Sequence, residues 1–476
     1  MLHVPVLRAG RSYRSIDLVR LKDARTGEVV AEVSQANRGL IAMDLLQAGR
    51  NRAILRRRAT EDLVAICGRA ADLFAQGELP VDDSASHSPA QYLDHLSATT
   101  GMPLTLCRAN MEKIRYVLHE MRRVLAGWTR GLPLSILDRG WGTEADRGVS
   151  YIGQTEALGA VLPSNSPGVH SLWVPAFPLK MPLVLKPGRQ EPWTPLRIAR
   201  ALIAAGAPPE AFSLYPSDHA GATEILLRCG RSMLFGDAGT LRAWQDDPRV
   251  QLHGPGWSKV ILGEDAADSW RSHLDLMVTS IAENGGRSCL NASGVWTAAH
   301  GREIAEALAG RLAAIEPRPL HDPAASLAAF TDGRQAIAIS EHIDRLLKVP
   351  GAVDLTARAR DAERVAQVDG CTFLRPTLVW CEDPDHPLAS CEFLFPFAAV
   401  VEVSQREMTA RIGPTLVATA LTRNQEFVGD LLDCPTIDRL NLGEIPTCRV
   451  SWDQPHEGNL FEHLYRQRAV QTAPAA

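Results

Sequence analysis

The chain has 476 residues, with 45% hydrophobic and 22% charged residues and a formal net charge of −5 at pH 7. Such a length accommodates two or three domains with a large core, the composition excludes a disordered chain, and the lack of a basic excess excludes a nucleic-acid partner. Met1–Arg11 has no apolar run of signal-peptide length. The longest apolar run, Leu172–Leu185, is too short for a bilayer and is interrupted by Pro175, Pro178, Lys180 and Pro182, so a cytoplasmic protein without a membrane span is expected. Nine cysteines without paired spacing read as reduced thiols, Cys381 and Cys391 lack zinc-knuckle spacing, and no metal site is expected.

In chain order, Leu18–Ser34 reads as two strands around the turn residues Asp23–Gly27. Ala53–Gln76 and Leu104–Leu125 carry apolar residues at intervals of three and four, which predicts two long amphipathic helices. Leu134–Leu158 loses that period and gains Gly140, Gly142 and Gly148, as a surface hairpin would. Ala157–Trp244 alternates strands near Ala160, Val184, Leu214 and Met233 with helices near Ile198 and Ile225, a pattern that predicts a parallel sheet with covering helices. Ligands bind such sheets beyond the carboxyl ends of the strands, although no Gly-x-Gly-x-x-Gly fingerprint is present. Gly256–Leu262 is expected as a strand and Asp268–Ala282 as a helix leading into Ser280–Thr297. In that stretch Gly285 and Gly286 allow a tight loop, Asn284 and Asn291 offer amide donors, and Arg287 places a charge two positions from Cys289. These are the conditions under which a thiol becomes a nucleophile. Near the end, Cys448–Ser451 is expected as the last strand, followed by a helix around Leu460–Tyr465.

The spacing Asn284-x-Gly286-Arg287-x-Cys289 resembles the Asn-x-Gly-Gln-x-Cys signature around the nucleophile of the aldehyde dehydrogenase superfamily. Further segments follow in the family's order. Leu18–Ser34 is similar to the family's opening hairpin. Leu162–Pro167 resembles Pro-Trp-Asn-Phe-Pro and gives Asn165 the place of an oxyanion-stabilising amide. Leu183–Pro187 resembles the strand whose lysine, here Lys186, contacts the adenosine ribose. Ala205–Pro208 resembles Ala-Gly-x-Pro, and Phe235-Gly236 stands where Phe-Thr-Gly-Ser begins the helix beneath the pyrophosphate. Cys391–Phe397 resembles Glu-x-Phe-Gly-Pro, whose glutamate, here Glu392, holds the nicotinamide ribose; Leu394 and Phe395 depart from it. Leu416–Arg423 and Ile437–Asn441 resemble two late segments of the catalytic part, so the likeness runs from about Leu18 to Val470.

The resemblance implies an α/β protein with a Rossmann-like nucleotide domain at 1–137 and 157–252 and an α/β catalytic domain at 253–440. It also implies an oligomerisation β-arm and tail at 138–156 and 441–476, with assembly as a dimer or tetramer. Two departures bear on the chemistry. Where hydrolytic members keep a glutamate that activates water, this chain has Gln251-Leu-His-Gly-Pro-Gly256, without a carboxylate. That absence resembles the CoA-acylating and fatty acyl reductase branch, in which a thiol releases the acyl group; His253 is the alternative base. Three residues after Lys186, NAD-using members often carry a glutamate for the ribose 2′-hydroxyl. Arg189 stands there, and its planar fork suits a 2′-phosphate, so NADP(H) is favoured and NAD(H) remains open.

The expectation is an NAD(P)-dependent enzyme that interconverts an aldehyde and an acyl thioester through Cys289, with CoA or a carrier thiol as co-substrate. The rivals are a hydrolytic aldehyde dehydrogenase with a displaced base, His253 or a carboxylate such as Glu283, a nucleotide-independent cysteine acyltransferase that pairs Cys289 with a histidine, and a non-enzymatic binding protein on the same fold.

Overall fold

The opening hairpin follows from local turn chemistry. Strands Leu18–Lys22 and Val29–Ser34 pair antiparallel, and Leu2–Val4 adds to the second in parallel. The turn is held by Asp23, whose Oδ1 accepts from Arg25 N at 2.8 Å, and by Gly27 at φ 74°. The computed structural model describes residues 1–144 and 147–471.

The single helix expected over Ala53–Gln76 is two helices, Ala48–Arg56 and Thr60–Gln76. The second starts at Thr60 because a remote residue caps it: Asp138 Oδ1 accepts from Thr60 N at 2.9 Å and from Thr60 Oγ1 at 2.7 Å. Leu63, Ile66, Cys67, Ala70 and Phe74 of this helix form the buried stripe that the apolar spacing predicts. Leu104–Leu125 likewise divides at Glu120 into Leu104–His119 and Met121–Trp128.

Two seven-stranded sheets carry the rest. The first has the order Val250–His253, Arg231–Phe235, Leu158–Val161, Leu183–Lys186, Phe212–Leu214, Val6–Arg8, Arg11–Tyr13. Its first five strands are mutually parallel, as expected from the alternation with helices Trp193–Ala204 and His219–Arg228. The second has the order Ala352–Asp354, Thr377–Cys381, Phe397–Glu402, Ala292–Thr297, Ser258–Leu262, Thr415–Leu421, Ile437–Leu442. All its pairings are parallel except that of Ala352–Asp354. Most residues of its inner strands are buried, as in a sheet covered on both faces.

Asp268–Ala282 is not one helix: a short helix at Glu264–Ala267 and a 3-10 turn at Trp270–His273 precede Leu274–Ala282. Ser269 Oγ donates to Ala266 O and Ser272 Oγ to Ser269 O, and such local side-chain bonds compete with helical ones. A third sheet joins distant parts of the chain, with Arg147–Gly153 between Trp141–Glu144 and Tyr465–Arg468. Cys448–Ser451 carries no strand. The last strand is Tyr465–Arg468, extending directly from helix Leu460–Leu464. Among the described residues no helix is long and apolar enough to cross a membrane.

Candidate active site

The two large sheets are joined by four residues. His253 ends the edge strand of the first, Ser258 begins a central strand of the second, and Gly254–Trp257 crosses between them. The crossing lies against the cysteine loop. A Cβ at Gly256 would fall 2.0 Å from the Cys289 carbonyl oxygen, so only glycine allows this approach, and Ser258 Oγ donates to the same oxygen at 2.9 Å.

The cysteine loop leaves helix Leu274–Ala282 through a 3-10 turn, Glu283–Gly286, and enters strand Ala292–Thr297. Asn284, Gly285 and Gly286 all have positive φ (56°, 64° and 68°), which is where the two glycines are needed. The expected amide donors hold the loop instead of facing a substrate. Asn284 Nδ2 donates to Ser166 Oγ at 3.1 Å, and its Oδ1 accepts from Asn110 at 2.7 Å. Asn291 donates to Ser280 O and Glu283 O. Asn165 does come to the loop: its Nδ2 donates to Arg287 O at 2.8 Å, leaving the second hydrogen of that amide for another acceptor.

Arg287 does not supply the expected charge. Its guanidinium is buried over the Phe330 ring, 4.9 Å from the centroid, and Nη2 donates to Ala329 O. Nothing cationic therefore lowers the half-buried Cys289 thiol through this residue. Burial pushes that thiol well above its ordinary value, and the charges of Glu457 and Glu392 push it further, against a hydrogen bond from the Ser288 side chain.

Glu392 grips the crossing. Its Oε1 accepts from Gly256 N at 3.1 Å and its Oε2 from Trp257 N at 2.5 Å. In this arrangement both oxygens are engaged by protein rather than by the ribose that the resemblance assigns to them. Burial raises its carboxyl to about 7 despite these N–H groups and Lys259. Lys259 is itself lowered to about 8 by burial, with Nζ donating to Trp257 O and Thr415 Oγ1 at 2.7 and 2.9 Å.

His253 lies on the other side of the crossing. Phe235 stacks flat on its ring, with centroids 4.3 Å apart at 16°. Its Nδ1 is 2.5 Å from Glu457 Oε2, an oxygen that also contacts His456 Nδ1, but the approach lacks hydrogen-bond geometry, so that both ring nitrogens of His253 are buried with no hydrogen-bond partner among the described residues. Glu457 is held well below the usual carboxylate range by the two imidazoles, which outweigh its burial. His253, His456 and Glu457 form a compact group of the kinds of side chain that bind metals. Sequence reasoning singled out His253 alone. The Pro455–Gly458 run gave no signal, because its approach depends on Gly458 at φ 154° packing against Gln251 from the far end of the chain.

On the first sheet, Lys186 ends strand Leu183–Lys186; burial lowers its pKa, and Asp218 partly offsets that. Arg189 is exposed. Gly236 N donates to His253 O at 3.1 Å, tying this turn to the edge strand. Asp237, beside it, caps the short helix Ala238–Arg242 by accepting from Thr240 N at 2.7 Å. The two cations suit the ribose end of a dinucleotide. Asp237 adds a carboxylate at the turn to which the resemblance assigns the pyrophosphate.

A model of the aldehyde dehydrogenase family matches residues 96–413, more than half of the chain. The chain belongs to the aldehyde dehydrogenase family. Solved structures of similar fold include the aldehyde dehydrogenase KauB from Pseudomonas aeruginosa, at 16% identity and TM-score 0.79 over 99% of this chain and 96% of that one. The indole-3-acetaldehyde dehydrogenase AldA of P. syringae, in complex with NAD+ and IAA, matches at 16% identity and TM-score 0.78 over 98% and 96%. 3,6-anhydro-L-galactose dehydrogenase in complex with NAP matches at 15% and 0.76 over 98% and 99%. No curated protein matches the sequence. The crossing between the sheets carries an imidazole at 253 and, against it, a carboxylate delivered from 457.

Proposed function

We propose that the protein is a nicotinamide-dependent oxidoreductase that interconverts an aldehyde and an acyl thioester, with the acyl group carried on Cys289, in the manner of an acyl-CoA reductase. The observation that carries this reading is the crossing behind the cysteine. Gln251–Trp257 contains no carboxylate, and the carboxylate fixed on its main chain, Glu392, has both oxygens occupied by N–H groups. A positioned base for water contributes about 10²–10⁴-fold, so without one release to a thiol is favoured over hydrolysis.

In the reductive direction Cys289 attacks an acyl thioester and expels its thiol, and the acyl group on Cys289 is then reduced to the aldehyde; oxidation runs these steps in reverse. The nicotinamide cofactor supplies or accepts the hydride. The free amide hydrogen of Asn165 and the Cys289 N–H stabilise the oxyanion, where one donor contributes about 3 kcal/mol. Lys186 and Arg189 hold the ribose end of the cofactor, and Arg189 favours NADP(H) over NAD(H). The solved relatives with NAD+ and with NAP support a nicotinamide partner. The sheet formed by 141–144, 147–153 and 465–468 provides an arm for a second copy of the chain.

With aldehyde and NADP alone, one rapid turnover per site followed by near-arrest is expected, and CoA should restore steady turnover. Sustained NADPH formation with free carboxylic acid would overturn thiol release in favour of hydrolysis with His253 as base, a reading that the His253 to Glu457 contact favours. Arg189→Glu should shift the ratio of kcat/KM values from NADP toward NAD by roughly 10- to 100-fold, the equivalent of one hydrogen bond to a charged group. An unchanged ratio would remove Arg189 from cofactor selection.

A further inference from the structure

Cys289 and the amide of Asn165 reach the candidate site from different sheets. Asn165 follows strand Leu158–Val161 of the first sheet and precedes the 3-10 turn Pro167–Leu172, whereas Cys289 precedes strand Ala292–Thr297 of the second. An oxyanion can bind between the Asn165 amide and the Cys289 N–H only if the two loops keep one separation, because such donors act at about 2.7–3.1 Å. The separation is fixed by a third element, helix Leu104–His119, which belongs to neither sheet.

Asn110 of this helix is buried, and all of its hydrogen-bonding capacity is used. Its Nδ2 donates to Leu106 O at 2.8 Å, within the helix, and to Asn284 Oδ1 at 2.7 Å, on the cysteine loop. Its Oδ1 accepts from Gly168 N at 3.1 Å and from Ser166 Oγ at 3.3 Å, on the Asn165 loop. The two main-chain partners settle which end of the amide is which, since Leu106 O can only accept and Gly168 N can only donate. Asn284 Nδ2 donates in turn to Ser166 Oγ at 3.1 Å and completes a circuit in which Asn110, Asn284 and Ser166 each donate to the next. Bonds in such a circuit polarise and strengthen one another. A Cβ at Gly168 would fall 2.8 Å from Asn110 Oδ1, and Asn284 is held at φ 56°, so the circuit also holds a close approach and a backbone conformation that few side chains adopt. Asn165 stands next to Ser166 in the chain and donates to Arg287 O, two residues before Cys289. The circuit and the reacting groups thus ride on the same two loops.

We propose that Asn110 is a positioning residue for the oxyanion site: it sets the distance between Asn165 and Cys289 and acts through the Asn165 amide rather than on the substrate. The inference rests on the proposed function in taking Cys289 as the nucleophile and Asn165 as an oxyanion donor. It holds alike for release of the acyl group to a thiol or to water.

The test compares two reactions of Cys289 in the full-length protein without aldehyde or cofactor. p-Nitrophenyl acetate acylates the sulfur. The thiolate, its proton gone to water, forms the C–S bond as the carbonyl π pair moves to oxygen, and that pair returns as the bond to p-nitrophenolate breaks. Iodoacetamide alkylates the same sulfur at a saturated carbon and forms no oxyanion. Peptide mapping by mass locates both adducts, and released p-nitrophenolate gives the acylation rate.

Asn165→Ala should slow acylation by about 10²–10³-fold, the effect of one oxyanion donor. Asn110→Leu, similar in shape but without donor or acceptor, should slow it by about 10- to 100-fold, as a misplacement of about 1 Å does. In the double variant the two losses should not multiply: acylation should be no slower than in Asn165→Ala alone, because Asn110 acts through that amide. The alkylation of Cys289 across pH 5 to 10 should keep its wild-type rate and inflection in Asn110→Leu, which a general loosening of the cysteine loop would not allow. Ser166→Ala opens the circuit at one link and leaves Gly168 N on Asn110. It should show the same pattern with a smaller slowing, and it carries the test if Asn110→Leu does not fold. Acylation at the wild-type rate in these variants, losses that multiply, or alkylation that falls in step with acylation would each overturn the proposal and leave the proposed function standing. A wild type that is not acylated on Cys289 would instead remove the nucleophile of the proposed function, and the role of Asn110 with it.

Discussion

Glu392 and Glu457 are carboxylates near the same cysteine, both largely enclosed by protein, and they titrate in opposite directions. Glu392 is met by two backbone N–H groups and, at longer range, by Lys259; burial prevails, and its carboxyl rises to about 7. Glu457 is met by two imidazoles in direct contact, and their opposing charge prevails over burial, so that it stays ionised far below the usual range. Burial of a carboxylate thus does not decide its charge. What decides it is whether a partner able to carry a full opposite charge touches it. One crossing, Gly254–Trp257, accordingly has a carboxyl poised between states on one side and a fixed negative charge on the other.

The largest expected effect follows from removing the fixed charge. Glu457→Gln removes the carboxylate that two buried imidazoles contact, and taking away one member of such a buried cluster should cost about 3 kcal/mol in urea unfolding at pH 7. The pH dependence has a definite sign. Because the folded pKa of Glu457 is depressed, its contribution is fully present above the unfolded carboxylate value and is lost as the pH falls below it toward the folded value. The difference between wild type and variant should therefore shrink in acid. A constant difference between pH 7 and pH 3 would show that Glu457 is not the charged member of the cluster.

Glu392→Gln should produce a smaller effect of opposite slope. With its folded value raised to about 7, Glu392 binds more protons in the folded than in the unfolded chain across the interval from its ordinary value up to about 7, so wild-type stability falls over that interval as the pH rises. The glutamine variant lacks this slope, although it loses one of the two N–H contacts. Urea midpoints at pH 5 and pH 8 should show the variant gaining on wild type with rising pH. If it loses ground instead, the carboxyl is stabilised rather than destabilised as an anion, and the contrast between the two glutamates disappears.

How far the sequence reveals this arrangement depends on the range of the interactions involved. The parallel sheet around Leu158–Val161, the opening hairpin and the need for Gly285 and Gly286 are local, written in periodicity and turn residues. The family's order of motifs carried the reading as far as Asn165, which the structure brings to the cysteine loop. What depended on remote partners was not legible. The Asp138 cap divides Ala53–Gln76, hydroxyl back-bonding divides Asp268–Ala282, and the C-terminal segment delivers Glu457 and His456 to His253 across about 200 positions. The stretch Gln251–Gly256 has no carboxylate in sequence, yet one stands 2.5 Å from its histidine in space.

Arg287 tests the same lesson from the opposite direction, and here the smallest effect is expected. It is two residues from Cys289 in sequence, but its guanidinium lies over Phe330 and donates to Ala329 O, with burial lowering it to about 10. Arg287→Gln removes the cation and can retain one N–H donor, so the cost should be that of a weakened buried hydrogen bond, about 1–2 kcal/mol in urea unfolding. The alkylation profile of Cys289 should keep its inflection, because the charge removed does not face the sulfur. A charge acting on the thiol would instead make its loss raise the inflection, and the variant would then alkylate more slowly at pH 7 in proportion. If that rise is seen with stability unchanged, the guanidinium reaches the sulfur in solution, and proximity in sequence is the better guide at this loop.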